Sequence, residues 1–259
     1  MWTVFTDKII LRFQSILISG FVFMLTTGDA VAQDMVLNKY GLWVLHSYTE
    51  LKQTTRNAPG KAMVDLRRNI PGILLDLRYA GVNNFMHQQL YPVIKTTYLR
   101  KTAVDSLKVI QEELHKYGLG LKLFDAYRPY SVTERMWEPV KDDRYAADPK
   151  KGSGHNRGIA VDLTLVNLLT KEELDMGTGF DNFSDTAHHA FTGLPSTVLQ
   201  NRAMLKKIME AHGFKALDTE WWHYYLPDTK NYELMDIPFN QLKKFKNQTH
   251  AERNTGTTF

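Results

Sequence analysis

The spacing of hydrophobic residues predicts two long helices. Apolar side chains recur three and four positions apart over Thr102–Tyr117, and Gly118 follows where helices commonly end. A second stretch of this kind runs over Pro195–Ala211, with Gly213 as its stop signal. Both patterns predict scaffold helices that bury one face.

Two other segments have shorter or weaker helical patterns. Asp34–Lys61 has a weak apolar pattern without a clean period. Of the regular structures, this pattern favours a helix, and we predict one there. The capping-box sequence Ser131–Glu134 predicts a short helix that runs to about Glu138, before Pro139.

We predict strands in four segments. In each of them apolar residues alternate with polar ones, or β-branched and aromatic residues are concentrated. The segments are Ile73–Tyr79, Leu121–Tyr127, Gly158–Leu165 and Thr219–Leu226. The polar stretch Lys141–Gly154 and the glycine-rich stretch Met176–Asp181 predict surface connections between these elements.

The first 32 residues have the layout of an export signal. Lys8 and Arg12 precede the apolar run Phe13–Leu25, and an Ala-Val-Ala sequence at 30–32 matches a cleavage site. An uncharged run of about 13 residues is shorter than the roughly 20 that a membrane anchor needs. We therefore expect a signal peptide over 1–32, a mature domain over 33–239 and export, to the periplasm in the first instance. Residues 240–259 are expected to form a polar, mobile tail.

Composition restricts the chemistry that the chain can perform. A chain of 259 residues, of which 43% are hydrophobic and 23% charged, fits a single globular domain. Because there are no cysteines, a transition metal would have to be bound by histidine and carboxylate. The net charge of +4 comes without a dense basic stripe, so neither nucleic acid nor an obligatory protein partner is expected.

The segment Ser153–Asp162 contains the first candidate metal ligands. His155 lies in a glycine-flanked loop, and Asp162 shares a strand face with Ala160 and Gly158, whose small size would leave room for a metal. Taken alone, this pair is explained slightly better as a hydrogen-bonded loop histidine and a turn carboxylate.

The cluster Glu220–His223 makes a metal site the better explanation for His155 and Asp162. An aspartate inside an apolar strand is costly to bury unless it is paired or binds a cation. Glu220 and His223 would face opposite sides of a regular strand, so we predict a bulge or sharp twist there. With His155, Asp162 and His223 on zinc, Glu220 is free to take a proton from the attacking water and pass it to the departing amine.

Arg128 is the candidate for stabilising the negative charge that develops on the substrate. Pro129 ends the preceding strand and exposes this fixed cation, and electrostatic groups of this kind are typically worth about 3 to 4 kcal/mol. The alternative is a surface salt bridge from Arg128 to Asp125 or Glu134.

Together these motifs are similar to those of a known family. Ser-x-His-x-x-Gly-x-x-x-Asp, then Glu-x-x-His, with Asp-x-Tyr-Arg-Pro upstream, resembles the VanX-type zinc D-alanyl-D-alanine dipeptidases of the D-Ala-D-Ala peptidase and Hedgehog-like superfamily. The resemblance covers roughly Leu75–Leu226. It implies an α+β fold, a single domain with a central, mainly antiparallel sheet flanked by helices, and one zinc ion per chain.

The resemblance also implies a role for each motif residue. The zinc ligands would be His155, Asp162 and His223, with Glu220 as the catalytic base and Arg128 as the stabiliser of the tetrahedral intermediate. The substrate-binding residues would be Asp181 for the ammonium group, Ser153 and Tyr79 for the free carboxylate, and Tyr91 near the amino end. Binding both ends rejects longer peptides, because an extended chain leaves buried polar groups unpaired. His188 and His189 would have structural or supporting roles.

The expected activity is hydrolysis of D-Ala-D-Ala or related short D-amino-acid dipeptides in cell-wall peptide turnover. The loop Tyr130–Ser153 is shorter than is typical of this family, which would open the cleft to longer peptides. A peptidoglycan D,D-carboxypeptidase or endopeptidase with the same zinc site is therefore the alternative. A non-catalytic wall-peptide binding module usually lacks the base, whereas Glu220 is present.

Overall fold

Nine strands and six helices lie within residues 37–243, the part of the chain that the structure, a computed structural model, describes. The strands are β1 (Val44–Leu45), β2 (Met63–Asp65), β3 (Leu74–Leu75), β4 (Tyr98–Arg100), β5 (Leu119–Asp125), β6 (Ala160–Asn167), β7 (Lys215–Leu217), β8 (Glu220–Tyr225) and β9 (Leu234–Met235). The helices are α1 (Tyr48–Thr55), α2 (Leu66–Asn69), α3 (Lys101–His115), α4 (Tyr130–Val140), α5 (Ser196–Ala211) and α6 (Phe239–Leu242). The predicted export signal lies outside the described residues, as do residues 244–259 of the predicted tail.

The central sheet has five strands in the order β3-β5-β6-β8-β7. Only the β3–β5 pair is parallel, and the other three pairs are antiparallel. The predicted α+β fold with a mainly antiparallel central sheet is therefore confirmed. Two small sheets, β1–β9 and β2–β4, lie beside it.

The main hydrophobic core lies between the central sheet and the two long helices. All four periodic apolar residues of α3 are buried, namely Val104, Leu107, Ile110 and Leu114. They share a core with Leu205 and Met209 of α5 and with the apolar residues of β5 and β6. Each fully buried aliphatic side chain contributes about 1.5 to 3 kcal/mol to stability, so this shared core fixes the two helices against the sheet.

A second core cluster joins residues 235–242 to the segment that follows β5. Tyr127 donates a hydrogen bond to the Ile237 carbonyl (2.9 Å) and accepts one from the Ile237 N–H (2.8 Å). Phe239 and Leu242 of α6 are buried in the same cluster. The packed fold thus extends into the first residues of the predicted tail.

The strand predicted over Ile73–Tyr79 is mostly wrong. Only Leu74–Leu75 pair with β5, and the chain then forms a 3-10 turn at Arg78–Ala80. Because this strand is at the edge of the sheet, it can turn away without breaking a central ladder, and the turn takes Tyr79 into the second core cluster.

The short helix predicted from Ser131 to about Glu138 is present as α4, but its predicted capping box is wrong. Helix α4 begins at Tyr130, has no side-chain cap, and includes Pro139 in its last turn. Ser131 does not cap the helix, because its N–H and its hydroxyl both donate to Asp236, at 2.9 and 2.7 Å. Within the described ranges, no helix combines the length and the apolar character needed to cross a bilayer.

Candidate metal centre and cleft

Three neighbouring strands place three polar residues in one row across the sheet. Asp125 at the end of β5 pairs with Asp162 on β6, and Asp162 pairs with His223 on β8. Directly opposite residues in an antiparallel pair have Cβ atoms about 4.5 to 5.5 Å apart. Backbone register alone therefore brings these side chains together.

The predicted irregularity in β8 is confirmed. Ala216 of β7 pairs with Tyr224, but the next residue, Leu217, pairs with Glu220. The extra residues on β8 form a bulge that turns Glu220 and His223 toward the same space. As a result, Glu220 Oε2 lies 3.8 Å from His223 Nδ1.

His155 reaches the row from the loop before β6. A Cβ added at Gly154 would lie 2.8 Å from the Ala160 methyl group, so the small side chain of Ala160 makes room for this loop rather than directly for a metal. Asn156, which the sequence analysis did not single out, fixes the loop by donating to the Arg128 carbonyl (2.9 Å) and to Thr133 Oγ1 (2.8 Å).

His155, Asp162 and His223 form a candidate metal centre. Each offers one ligand atom, and these atoms lie within 4.8 Å of one another. His155 Nε2 is 3.2 Å from His223 Nδ1 and 3.4 Å from Asp162 Oδ2, while His223 Nδ1 is 3.0 Å from Asp162 Oδ1. His155 Nδ1 lies 2.7 Å from the Ala126 carbonyl, which can only accept, so the Nε2 lone pair faces the cluster.

The charges around this centre favour a bound cation. Burial would raise the pKa of Asp162, but the imidazoles of His155 and His223 hold it below its usual range. Burial, reinforced by the Asp162 carboxylate, raises the pKa of Glu220 to about 7. Two imidazoles and a carboxylate with space for a fourth ligand suit zinc. The residues present therefore fit a zinc ion.

Arg128 is held by a buried network rather than by a surface salt bridge. Its Nε and Nη2 atoms donate to Asp125 Oδ2 at 3.0 and 2.8 Å, and its side chain is only 9% exposed. Tyr91 donates to the other oxygen of Asp125 at 2.9 Å. Arg128 also stacks over the Tyr79 ring (5.1 Å) and lies 4.0 Å from Asp162 Oδ2. Asp125 is thus a supporting residue that the sequence suggested only as a surface partner.

A cleft of about 260 Å³ opens onto the metal centre. The predicted site residues that line it are Tyr79, Arg128, Ser153, His155, Asp162, Asp181, Glu220 and His223. Tyr91 is not among the residues that line it, because its ring is buried in the second core cluster and its hydroxyl is taken up by Asp125. The structure therefore gives Tyr91 a supporting position in place of the predicted contact with substrate.

Asp181 lies in the cleft wall with its carboxylate held from two sides. Tyr79 donates to Oδ1 at 2.9 Å, and the Phe85 N–H donates to Oδ2 at 3.4 Å. Loss of solvent, together with the Asp162 charge, raises the pKa of Asp181 to about 7. Tyr79 thus faces the Asp181 end of the cleft, which differs from the contact with the substrate carboxylate that the family resemblance implies.

Ser153 and the histidine pair complete the set of predicted positions. Ser153 Oγ accepts a hydrogen bond from the His155 N–H at 3.1 Å, which leaves its hydroxyl hydrogen free to donate into the cleft. His188 lines a smaller adjoining chamber, and His189 lies beside Tyr224 at 6.2 Å between ring centroids. Neither histidine belongs to the metal cluster.

Two histidines and an aspartate that converge beside a carboxylate with a pKa near neutrality are typical of metal-dependent hydrolases. The chain belongs to the D-Ala-D-Ala dipeptidase family (peptidase family M15), whose sequence profile matches residues 60–244. It is accordingly a peptidase.

Relatives in this family come from several bacteria. The D-alanyl-D-alanine dipeptidase of Escherichia coli is 34% identical over 182 residues, which are 69% of this chain and 91% of that protein. The dipeptidase of Enterococcus faecalis is 33% identical over 177 residues, 61% of this chain and 87% of that protein. The Streptomyces coelicolor dipeptidase is 34% identical over 184 residues, 62% of this chain and 91% of that protein.

Proposed function

We propose that this protein is a zinc metallopeptidase that hydrolyses D-Ala-D-Ala or related short D-amino-acid dipeptides in cell-wall peptide turnover. The observation that carries the proposal is the convergence of His155, Asp162 and His223 in the same cleft as Glu220 and Asp181. The dipeptidase relatives support the substrate class. One zinc ion per chain, bound by the three converging residues, would polarise water and the substrate carbonyl.

Glu220 acts as the general base and then as the general acid. It takes the proton from the attacking water and returns it to the departing amine. A pKa raised to about 7 by burial suits both steps, because the group can gain and lose the proton near neutral pH.

Arg128 stabilises the negative oxygen that forms as the amide carbonyl is attacked. The Asp125 carboxylate fixes the guanidinium through two nitrogen atoms, so no reorganisation is needed when the charge develops. Loss of a preorganised donor of this kind typically lowers kcat about 10²- to 10³-fold.

Asp181 and Ser153 define the length of the substrate. Asp181 accepts the substrate ammonium, with Tyr79 orienting its carboxylate, and the Ser153 hydroxyl donates to the free carboxylate. A dipeptide satisfies both groups, whereas a peptide extended at its amino end would leave Asp181 without its cation.

Glu220→Gln tests the mechanism. We expect kcat for D-Ala-D-Ala to fall about 10²- to 10⁴-fold, because the amide cannot accept the proton, while elemental analysis still finds one zinc per chain. Glu173→Gln, which removes an exposed carboxylate that pairs with Lys122, is the matched control and should keep wild-type kinetics. Turnover retained in Glu220→Gln would remove Glu220 from the role of base.

A D,D-carboxypeptidase or endopeptidase is the second candidate, and one feature of the cleft favours it. Beyond Glu220 the cleft adjoins a chamber of about 110 Å³, lined among others by Arg144, Tyr145 and His188, which offers space for a longer peptide. Free D-Ala-D-Ala and a muropeptide ending in D-Ala-D-Ala should be assayed side by side, with and without chelator. Hydrolysis of the muropeptide alone would overturn the dipeptidase proposal.

Export to the periplasm is part of the same proposal. The basic residues Lys8 and Arg12, the apolar run and the Ala-Val-Ala sequence at 30–32 support it. An exported enzyme would act on peptides released from the wall or taken from outside. Cell fractionation with amino-terminal sequencing tests this: a mature chain starting at Gln33 is expected, and full-length protein in the cytosol would contradict it.

A further inference from the structure

Arg202 on α5 is a buried cation that neither the metal centre nor the cleft uses directly. The residue is 4% exposed, and its guanidinium makes its hydrogen bonds to main-chain carbonyls. Nε donates to the Met176 carbonyl at 2.7 Å, and Nη1 donates to the carbonyls of Thr186 (2.9 Å) and His188 (3.3 Å). Burying a charged side chain costs free energy unless the charge is hydrogen-bonded. The donors of Arg202 bind backbone carbonyls, which indicates that this residue has a structural role toward the chain segment that it contacts.

The three carbonyls belong to one stretch of chain, residues 176–188, which we call the Asp181 segment. One carbonyl lies five residues before Asp181, and the other two lie five and seven residues after it. Arg202 thus ties both ends of the segment to the same point on a long helix. A rigid helix that closes a loop at its two ends limits where the middle of that loop can lie.

Asp181 itself needs such a constraint. Its backbone is in the left-handed region, with φ of 60°, which non-glycine residues adopt at a cost of order 1 kcal/mol or more. Conformations of this kind persist only where the surrounding structure fixes them. Close packing of the segment on the start of α5 is also evident at Gly177, where an added Cβ would lie 2.8 Å from Leu194 and 2.9 Å from Val198.

We propose that Arg202 is a positioning residue for substrate recognition: it clamps the Asp181 segment so that the Asp181 carboxylate is held where the substrate ammonium binds. This proposal rests on the proposed function, because it takes Asp181 as the ammonium-binding group. Arg202 touches neither substrate nor metal in this arrangement, and its effect passes through the backbone of the segment.

Arg202→Met removes the donors and keeps most of the side-chain volume. In the zinc-loaded full chain we expect KM for D-Ala-D-Ala to rise about tenfold, while kcat changes less than about threefold, because uniform binding is lost and the reacting groups stay in place. Arg202→Lys, which keeps the charge and one donor group, should give a smaller rise. Lys206→Met, which removes a cation from the same helix, is the matched control and should leave both constants unchanged.

Amide hydrogen exchange gives a readout that needs no turnover. Arg202→Met should speed exchange about tenfold or more in peptides covering residues 176–188 and leave peptides covering β6 unchanged. On an Asp181→Asn background, the Arg202 substitution should add little to KM, because both changes remove the same interaction.

The kinetic and hydrogen-exchange results distinguish a failure of the positioning role of Arg202 from a failure of the proposed activity. If the wild-type protein does not hydrolyse D-Ala-D-Ala, the proposed function fails, and hydrogen exchange still decides whether Arg202 holds the segment. Unchanged exchange in residues 176–188, faster exchange spread evenly over β6 and α3, or an undiminished KM effect in the Asp181→Asn background would each overturn the positioning role.

Discussion

At the scale of single residues, Asp181 carries the most informative combination of properties. Its backbone is left-handed, its carboxylate accepts from Tyr79 and from the Phe85 N–H, and burial raises its pKa to about 7. The charges that face it are those of Asp162, which raises the pKa, and Arg128, which lowers it. A carboxylate poised in this way binds an ammonium group only in its ionised form.

We therefore predict that KM for D-Ala-D-Ala depends on pH through Asp181. Because its pKa in the folded protein is about 7, the carboxylate is protonated below that pH, and KM should rise toward about tenfold per pH unit as the pH falls from 7 to 5.5. The substrate amino group stays charged over this range. Steady-state kinetics at constant ionic strength measures the slope.

Asp181→Asn is the control for this titration. The variant should show a high KM at every pH, without the slope, since the amide does not ionise. An equal slope in wild type and variant would assign the titration to another group.

At this scale the sequence predicts the residue types of the candidate metal centre, but it does not predict the hydrogen-bond partners of the tyrosines. A motif with two histidines and an aspartate limits the chemistry by itself, since few side chains bind zinc. Tyr79 and Tyr91 each offer one hydroxyl, and which carboxylate it reaches depends on packing across the fold. Tyr79 bonds to a residue 102 positions away and Tyr91 to one 34 positions away, distances over which no local pattern applies.

At the scale of elements, two Ser-x-x-Glu sequences behave differently. Ser47 and Glu50 form a capping box that begins α1, with Ser47 Oγ accepting from the Glu50 N–H and Glu50 accepting from the Ser47 N–H. The Ser47–Glu50 motif therefore marks the start of a helix within Asp34–Lys61, the segment whose apolar pattern is weak. Ser131 has the same pattern, but Asp236, 105 residues away, accepts from both of its donors instead. A distant acceptor thus overrides a local motif.

The predicted limits are most accurate for elements that contact the core along their whole length. Helix α3 and strand β6 lie close to their predicted limits because their apolar residues pack against the core along the whole length. The edge strand β3 shrinks to two residues, since sheet pairing constrains it on one side only. The bulge in β8 was predictable because two polar residues three apart had to face one site.

The loop before β6 gives a prediction at this scale. Gly154→Ala would place a methyl group 2.8 Å from the Ala160 methyl, and since both are fixed to backbone, the loop must move and take His155 with it. We expect the free energy of unfolding to fall by about 1 to 3 kcal/mol, with weaker zinc binding. Urea unfolding and a zinc competition titration measure the two effects.

Gly81→Ala is the matched control. This glycine has an extended backbone with φ of −132°, and the nearest atom to an added Cβ is 4.0 Å away. The substitution should leave zinc affinity unchanged and stability within about 0.5 kcal/mol of wild type. Equal losses in both variants would mean that the Gly154 contact has no special role.

At the scale of the whole molecule, the fold concentrates negative charge in a protein whose net charge is +4. Asp125, Asp162, Asp181 and Glu220 all come within the range of one buried arginine, Arg128. Three parts of the fold contribute to this cleft. They are the row of polar residues across β5, β6 and β8, the loop that carries His155, and the Asp181 segment. Burial raises the pKa of both Asp181 and Glu220 to about 7, so their ionised forms are disfavoured, and a cation bound beside them would offset this cost.

Metal removal should therefore destabilise the entire domain. A ligand that binds only the folded state stabilises it by about 2.7 kcal/mol when its free concentration is 100 times its Kd, so zinc should raise the urea midpoint of the chelated protein. His223→Gln should lose this increment, because it removes one of the three converging ligands. Glu220→Gln should keep it, because the proposed base is not a ligand, and this difference separates metal binding from catalysis in a measurement that needs no substrate. A urea midpoint that does not respond to zinc in the wild-type protein, or that responds equally in His223→Gln, would contradict the metal centre itself.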